Sequence, residues 1–180
     1  MLQALTSLKM SAFELARSLF EACQKKDEGQ IKNLVRLGAD PCFVLPEEAE
    51  AMSALHLVCK FGDLNILKLL VETSKLINFE TKDHHKGLTP LHYACLYGHL
   101  DICVYLISHK CDPHTLTNDR DTALHMACRY PYHNENSLKI VKILVRAAKC
   151  SVNARNKNGN SPLMVLQKQK GEMKEIIMYL

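Results

Sequence analysis

Gly87-Leu88-Thr89-Pro90-Leu91-His92-Tyr93-Ala94-Cys95-Leu96-Tyr97-Gly98-His99-Leu100-Asp101-Ile102-Cys103-Val104-Tyr105-Leu106-Ile107-Ser108-His109-Lys110-Cys111-Asp112-Pro113 reads as two helices and a turn. Thr89 is placed to cap the first helix and Pro90 to occupy its first turn, where a missing N–H costs no hydrogen bond. Leu91, Ala94 and Cys95 then share a face at helical spacing, and Gly98 ends the run. A second helix is expected from Leu100, with Ile102, Cys103, Leu106 and Ile107 as its apolar stripe. Asp112-Pro113 stops it, and the polar run to Asp121 is long enough for a β-hairpin-like turn.

The same pattern recurs. Ser53-Ala54-Leu55-His56 and Thr122-Ala123-Leu124-His125 match Thr89-Pro90-Leu91-His92, with 36 residues from His56 to His92 and 33 from His92 to His125. A cysteine follows each histidine by three residues, and Cys23 extends that series with Cys59, Cys95 and Cys128. A fixed period of this length marks stacked units, none of which can bury its apolar face alone.

The quoted stretch resembles the ankyrin repeat, whose Thr-Pro-Leu-His, Ala-Ala, Gly-His and closing Gly-Ala-Asp elements it matches nearly in full. The resemblance implies an all-α solenoid of helix-turn-helix units with projecting β-hairpin-like turns and a concave groove. It covers almost the whole chain as one domain, residues 1–180, with units at about 11–41, 52–79, 88–114, 121–153 and 160–180. The first unit lacks the Thr-Pro-Leu-His opening. Ser11-Ala12-Phe13-Glu14 stands there instead, a capping-box pattern that predicts a longer helix to about Lys25. Pro46, Glu47, Glu48 and Glu50 lengthen the next connection into an expected acidic loop. Five residues are inserted within 131–137, between the helices of the fourth unit. In the last unit Met164 replaces the histidine, and a final helix is expected over 172–180. Ile176, Ile177 and Leu180 would leave an apolar end there, which suggests a piece of a longer protein.

Composition fits a folded domain: 47% hydrophobic and 23% charged residues. No apolar run approaches the ~18 residues of a membrane span, so the expected location is the cytoplasm, or the nucleus. The phased cysteines read as buried packing residues rather than a disulfide framework. The net charge of +4 is uneven, because residues 139–180 carry nine basic side chains against Glu172 and Glu175. An acidic partner near that end is one expectation. Nucleic acid is disfavoured, since no recognition motif accompanies the charge.

His56, His92 and His125 occupy the family slot in which the imidazole ties its own turn to the next, so the resemblance makes them structural. Ligands of one zinc ion would have to converge to ~2.0–2.3 Å from it, which separate repeats do not allow. His109, Cys111 and His114 are a weak metal motif without a fourth ligand, and no cofactor is called for. The chain has no His-Glu-x-x-His, no Cys-x-x-Cys and no phosphate-binding glycine loop. A non-catalytic protein-interaction module is therefore expected, monomeric as a domain. The alternative is the targeting or regulatory segment of a larger enzyme, such as a kinase, or of a channel, with its activity encoded beyond residue 180.

Two residues past each phased cysteine stand Lys25, Phe61, Tyr97 and Tyr130. The resemblance turns this position and its predecessor toward the groove, so Phe61, Tyr97 and Tyr130 are candidate anchors, flanked by Lys60, Leu96 and Arg129. Aromatic and arginine side chains dominate many interfaces. The competing expectation is that the three rings only pack on neighbouring helices. The turns supply rim candidates in His84, His85, Asn118, Asp119, Lys157 and Asn158. As in related repeats, Asn78 is a candidate for asparaginyl hydroxylation, with Leu70 eight residues before it.

Overall fold

The computed structural model describes residues 10–46, 51–129, 135–168 and 174–180. It contains helices α1 (Ala12–Lys25), α2 (Glu28–Arg36), α3 (Ala54–Phe61), α4 (Leu64–Thr73), α5 (Pro90–Leu96), α6 (Leu100–Ser108), α7 (Ala123–Arg129), α8 (Glu135–Arg146), α9 (Pro162–Gln167) and α10 (Lys174–Tyr179). There is no strand among the described residues.

The odd-numbered helices pack in order, α1 on α3, α3 on α5, α5 on α7 and α7 on α9. The even-numbered helices α2, α4, α6, α8 and α10 form a second layer, each in contact with the next. The core lies between the layers. Leu55, Leu91 and Leu124, which hold the same phase of the repeat, are buried to 2% exposure or less, and each such burial contributes roughly 1.5–3 kcal/mol.

The recurring Ser/Thr-x-x-His is a capping box with histidine in the glutamate position. In α3 the Ser53 N–H donates to His56 Nδ1 at 3.2 Å, while the His56 N–H donates back to Ser53 Oγ at 3.4 Å. Thr89 with His92 and Thr122 with His125 repeat this exchange. Since Nδ1 accepts, the proton sits on Nε2, which donates to Thr81 O in His56 and to Asn160 O in His125. One residue thus caps its own helix and pins the turn that follows. The Nε2 of buried His92 has no such partner.

Contacts between units explain further elements of the pattern. Gly62, at φ +76°, caps α3, and a side chain there would overlap the ring of His99, whose Nε2 donates to Lys60 O at 2.8 Å. Glu80 reaches the next closing turn, accepting from the Asp112 N–H and the Thr115 hydroxyl at 2.7 Å each. The Asn78 N–H donates to Cys42 Sγ at 3.1 Å, and the exposed Asn78 side chain accepts from the Glu80 N–H. All eight cysteines are free and buried.

The Ser11 capping box and the helix to Lys25 are present as the sequence predicts. The inserted stretch differs in part: residues 135–137 do not belong to a loop but form the first turn of α8, which buries Ser137. The acidic residues 47–50, the remaining inserted residues, and residues 172–173 of the expected final helix lie outside the described residues. No described helix is long and apolar enough to cross a membrane.

Candidate protein-binding groove

Along one face, the C-terminal ends of α3, α5 and α7 meet three polar turns, residues 82–88, 116–121 and 155–160, here termed fingers. Each finger is closed by its own backbone: Asp83 N–H to Leu88 O, Thr117 N–H to Asp121 O and Asn156 N–H to Asn160 O. The fingers are also tied to one another, because Asn118 N–H donates to Lys86 O at 2.9 Å and Lys157 N–H to Asp119 O at 2.8 Å, while His84 N–H ties the first finger to Ala51 O ahead of α3.

Asp83 organises the first finger. Its Oδ1 accepts from the N–H groups of His85, Lys86 and Gly87, and its Oδ2 from the N–H of Leu88 and the phenol of Tyr93. This buried carboxylate is satisfied almost entirely by backbone donors, an arrangement an aspartate-initiated turn provides. Asn156 does the same in the third finger, accepting from the N–H groups of Asn158 and Asn160 while its amide donates to Asp121 Oδ1. Asp121 is paired on its other oxygen with Arg129, Nη2 to Oδ2 at 2.7 Å.

Two depressions run along this face. The first, of about 280 Å³, is bounded by His85, Lys86 and Leu88 from the finger and by Tyr93, Leu96 and Tyr97 from α5 and its cap. The second, of about 70 Å³, shares Lys86, Leu88 and Leu96 with it and continues to Asp119, Met126 and Arg129. A wider and more open hollow of about 750 Å³ lies over α4 and α6, lined by Leu64, Leu100, Val104 and Tyr105 among others. The two depressions between fingers and helices are the more enclosed.

The structure brings His85, Leu96 and Tyr97 together around the first depression, and Leu96, Asp119 and Arg129 around the second. Lys60 holds its ammonium 5.6 Å from the centre of the Tyr97 ring. Tyr97 stacks on Tyr93, 6.4 Å between centroids and nearly parallel, and Tyr93 meets His56 edge-on. Tyr97 therefore packs within its own unit and is half-buried, while Phe61 is 53% exposed and free to contact a partner. His84, Asn118, Lys157 and Asn158 are exposed on the fingers without lining either depression. Tyr130 lies outside the described residues.

Arg129 is less available than its position suggests, since the Asp121 carboxylate neutralises it. The basic C-terminal segment is likewise not one patch: Lys142 and Arg146 flank the Tyr179 ring on the outer layer, whereas Arg155 and Lys157 sit on the third finger. Asp83 and Tyr93 are the residues that sequence reasoning missed. The aspartate four residues before Gly87 was the available signal, a turn-initiating pattern easily passed over within a polar run.

His56, His92 and His125 all have imidazole pKa values pushed down, first by burial, that of His92 to about 4. Their rings serve as neutral hydrogen-bonding pieces. Burial raises the thiols of Cys128, to about 12, and Cys150, to about 11. Low thiolate content makes them poor nucleophiles or metal ligands.

Two layers of paired helices, linked through capping histidines and finger-to-finger hydrogen bonds, define a helical-repeat solenoid. A family model described as ankyrin repeats in three copies matches residues 19–117, and a second, of ankyrin repeats in many copies, matches 91–145. The chain belongs to the ankyrin-repeat family. Repeats of this family are generally protein–protein interaction modules. A search of curated proteins gave no match.

Proposed function

We propose that this chain is a non-catalytic scaffold that holds a segment of another protein in the groove between its fingers and its inner helices. The carrying observation is the continuity of the two depressions through Lys86, Leu88 and Leu96, with Phe61 exposed in the phase of Tyr97 one unit earlier. Phe61, Tyr97 and Tyr130 act as anchors, Lys60, Leu96 and Arg129 as their surround, and His84, His85, Asn118, Asp119, Lys157 and Asn158 as the selective rim. The five units at 11–41, 52–79, 88–114, 121–153 and 160–180 serve as one monomeric platform. Eight unpaired thiols support a reducing compartment, the cytoplasm or nucleus.

Affinity capture from cell lysate tests this reading, comparing the native chain with a Phe61→Ala, Tyr97→Ala, Tyr130→Ala variant by quantitative mass spectrometry. Proteins retained by the native chain alone, with the variant still folded, are the expected outcome. Equal retention by both would move the site away from the groove. A melting temperature sharply lowered in the variant would assign the rings to packing.

A further inference from the structure

Exposed charge on the three fingers is one-sided. Lys82, Lys86, Arg120, Arg155 and Lys157 face solvent, and Asp119 is the exposed acid of these turns. The other two carboxylates are buried and occupied, Asp83 by backbone N–H groups and Asp121 by Arg129 and Asn156. Lys82 donates to Leu116 O, a neutral acceptor that leaves its charge in place. Lys86, Arg120 and Lys157 form no ion pair among the described residues. Hydrogen bonds from Asn118 to Lys86 and from Lys157 to Asp119 fix neighbouring fingers together, so these cations stand in a set row and not on independent loops.

Lys86 is the member of that row that lines the 280 Å³ depression, where it stands with His85 and the buried Asp83 on the finger side, and Leu88, Tyr93, Leu96 and Tyr97 supply an apolar floor and far wall. The space takes one large side chain. From this juxtaposition, and resting on the groove reading above, we propose that the partner is an acidic linear peptide. It lowers one leucine-, methionine- or phenylalanine-sized side chain between Leu88 and Tyr97, and its carboxylates meet Lys86, Arg120 and Lys157. The apolar anchor supplies most of the affinity, while the cations set partner choice and association rate. A nucleic-acid strand fits less well. It carries an anion at every nucleotide and would bring one against Asp119, whereas a peptide places a neutral residue there.

The test is selection of a phage-displayed library of random peptides, about twelve residues long, on the 1–180 chain, followed by fluorescence anisotropy with the synthesised winners. Expected winners carry Asp and Glu around a single large apolar residue. Their affinity falls about tenfold or more for the Lys86→Glu, Arg120→Glu, Lys157→Glu variant at low salt, with a smaller difference at high salt. All three side chains are exposed, so the variant keeps its melting temperature. Winners without acidic enrichment, indifferent to charge reversal yet lost with Leu96→Ala and Tyr97→Ala, would overturn the acidic partner and leave the groove standing. Winners indifferent to both variants would overturn the groove as well. Enrichment of no peptide would overturn a linear segment as the occupant, and tighter binding of a single-stranded oligonucleotide of similar length would reassign the cations to nucleic acid.

Discussion

His92 is 1% exposed, with its ring held by the Thr89 N–H and hydroxyl at Nδ1. Burial lowers its pKa from 6.5 to about 4, and the nearby Lys82 charge pushes the same way. Because the folded value lies below the unfolded one, the unfolded chain binds a proton that the folded chain refuses as the pH drops. Stability from the neutral ring is therefore complete above about pH 6.5 and is lost as the pH falls toward 4, by at most about 3 kcal/mol for His92. His56 and His125 are shifted in the same direction, also first by burial. Urea denaturation should show a midpoint that declines between about pH 6.5 and 4.5, more shallowly in His92→Gln. The lowered carboxylates of Glu14 and Asp63 act below this window, since their stabilisation is lost only as pH falls through pKa values under 4.5 and 3.8. A midpoint flat across the window would show that the rings titrate normally in the folded chain.

A finger is built from fewer than ten residues without a strand, so its shape depends on one or two buried acceptors. Asp83 takes four backbone N–H groups and the Tyr93 phenol. Asp83→Ala should leave those donors without a partner and cost about 2–4 kcal/mol, judged by the usual penalty for unsatisfied buried groups. Asp83→Asn keeps an oxygen for His85, Lys86 and Gly87 and should recover at least half of that loss. Equal melting temperatures for the two variants would mean that the carboxylate does not organise the turn. Much at this scale was legible in the sequence. Thr89-Pro90 marked a helix start because a hydroxyl cap and an N-terminal proline each solve the problem of unpaired N–H groups. The first turn of α8 was not legible, because spacing gives the length of an insertion and not its conformation, and Glu135, Asn136 and Ser137 carry no helical periodicity of their own. Nor was the role of Asp83, whose five contacts come from the closing of the turn and not from any pattern of residue types.

Over the whole molecule the period exposed the fold, since units that share a phase must share a burial pattern, and the phased cysteines are indeed all buried. The groove was legible only in part. Spacing put Leu96, Tyr97 and Arg129 at recurring positions that the family resemblance turns toward a groove, but that Asp121 would neutralise Arg129 and that Tyr93 would stack under Tyr97 depends on rotamers that a period does not encode. The same regularity makes the thiols a record of where the stack opens. Each unit packs on its neighbours, so stability is close to a sum of unit and interface terms, and units can open separately. Cys59, Cys95 and Cys103 lie in the middle of the chain at 1% exposure or less, whereas Cys23, Cys42 and Cys150, at 4%, 9% and 6%, lie toward its two sides. Burial has raised the pKa of Cys23, Cys42 and Cys150, and a thiol reagent at neutral pH reaches them when the surrounding unit opens. Pulsed alkylation read by peptide mass spectrometry should find all eight nearly unmodified in buffer. In urea below the main transition, Cys23, Cys42 and Cys150 should label first and Cys59, Cys95 and Cys103 last. One common rate for all eight would instead mean that the interfaces couple the units so strongly that the stack opens as a single body.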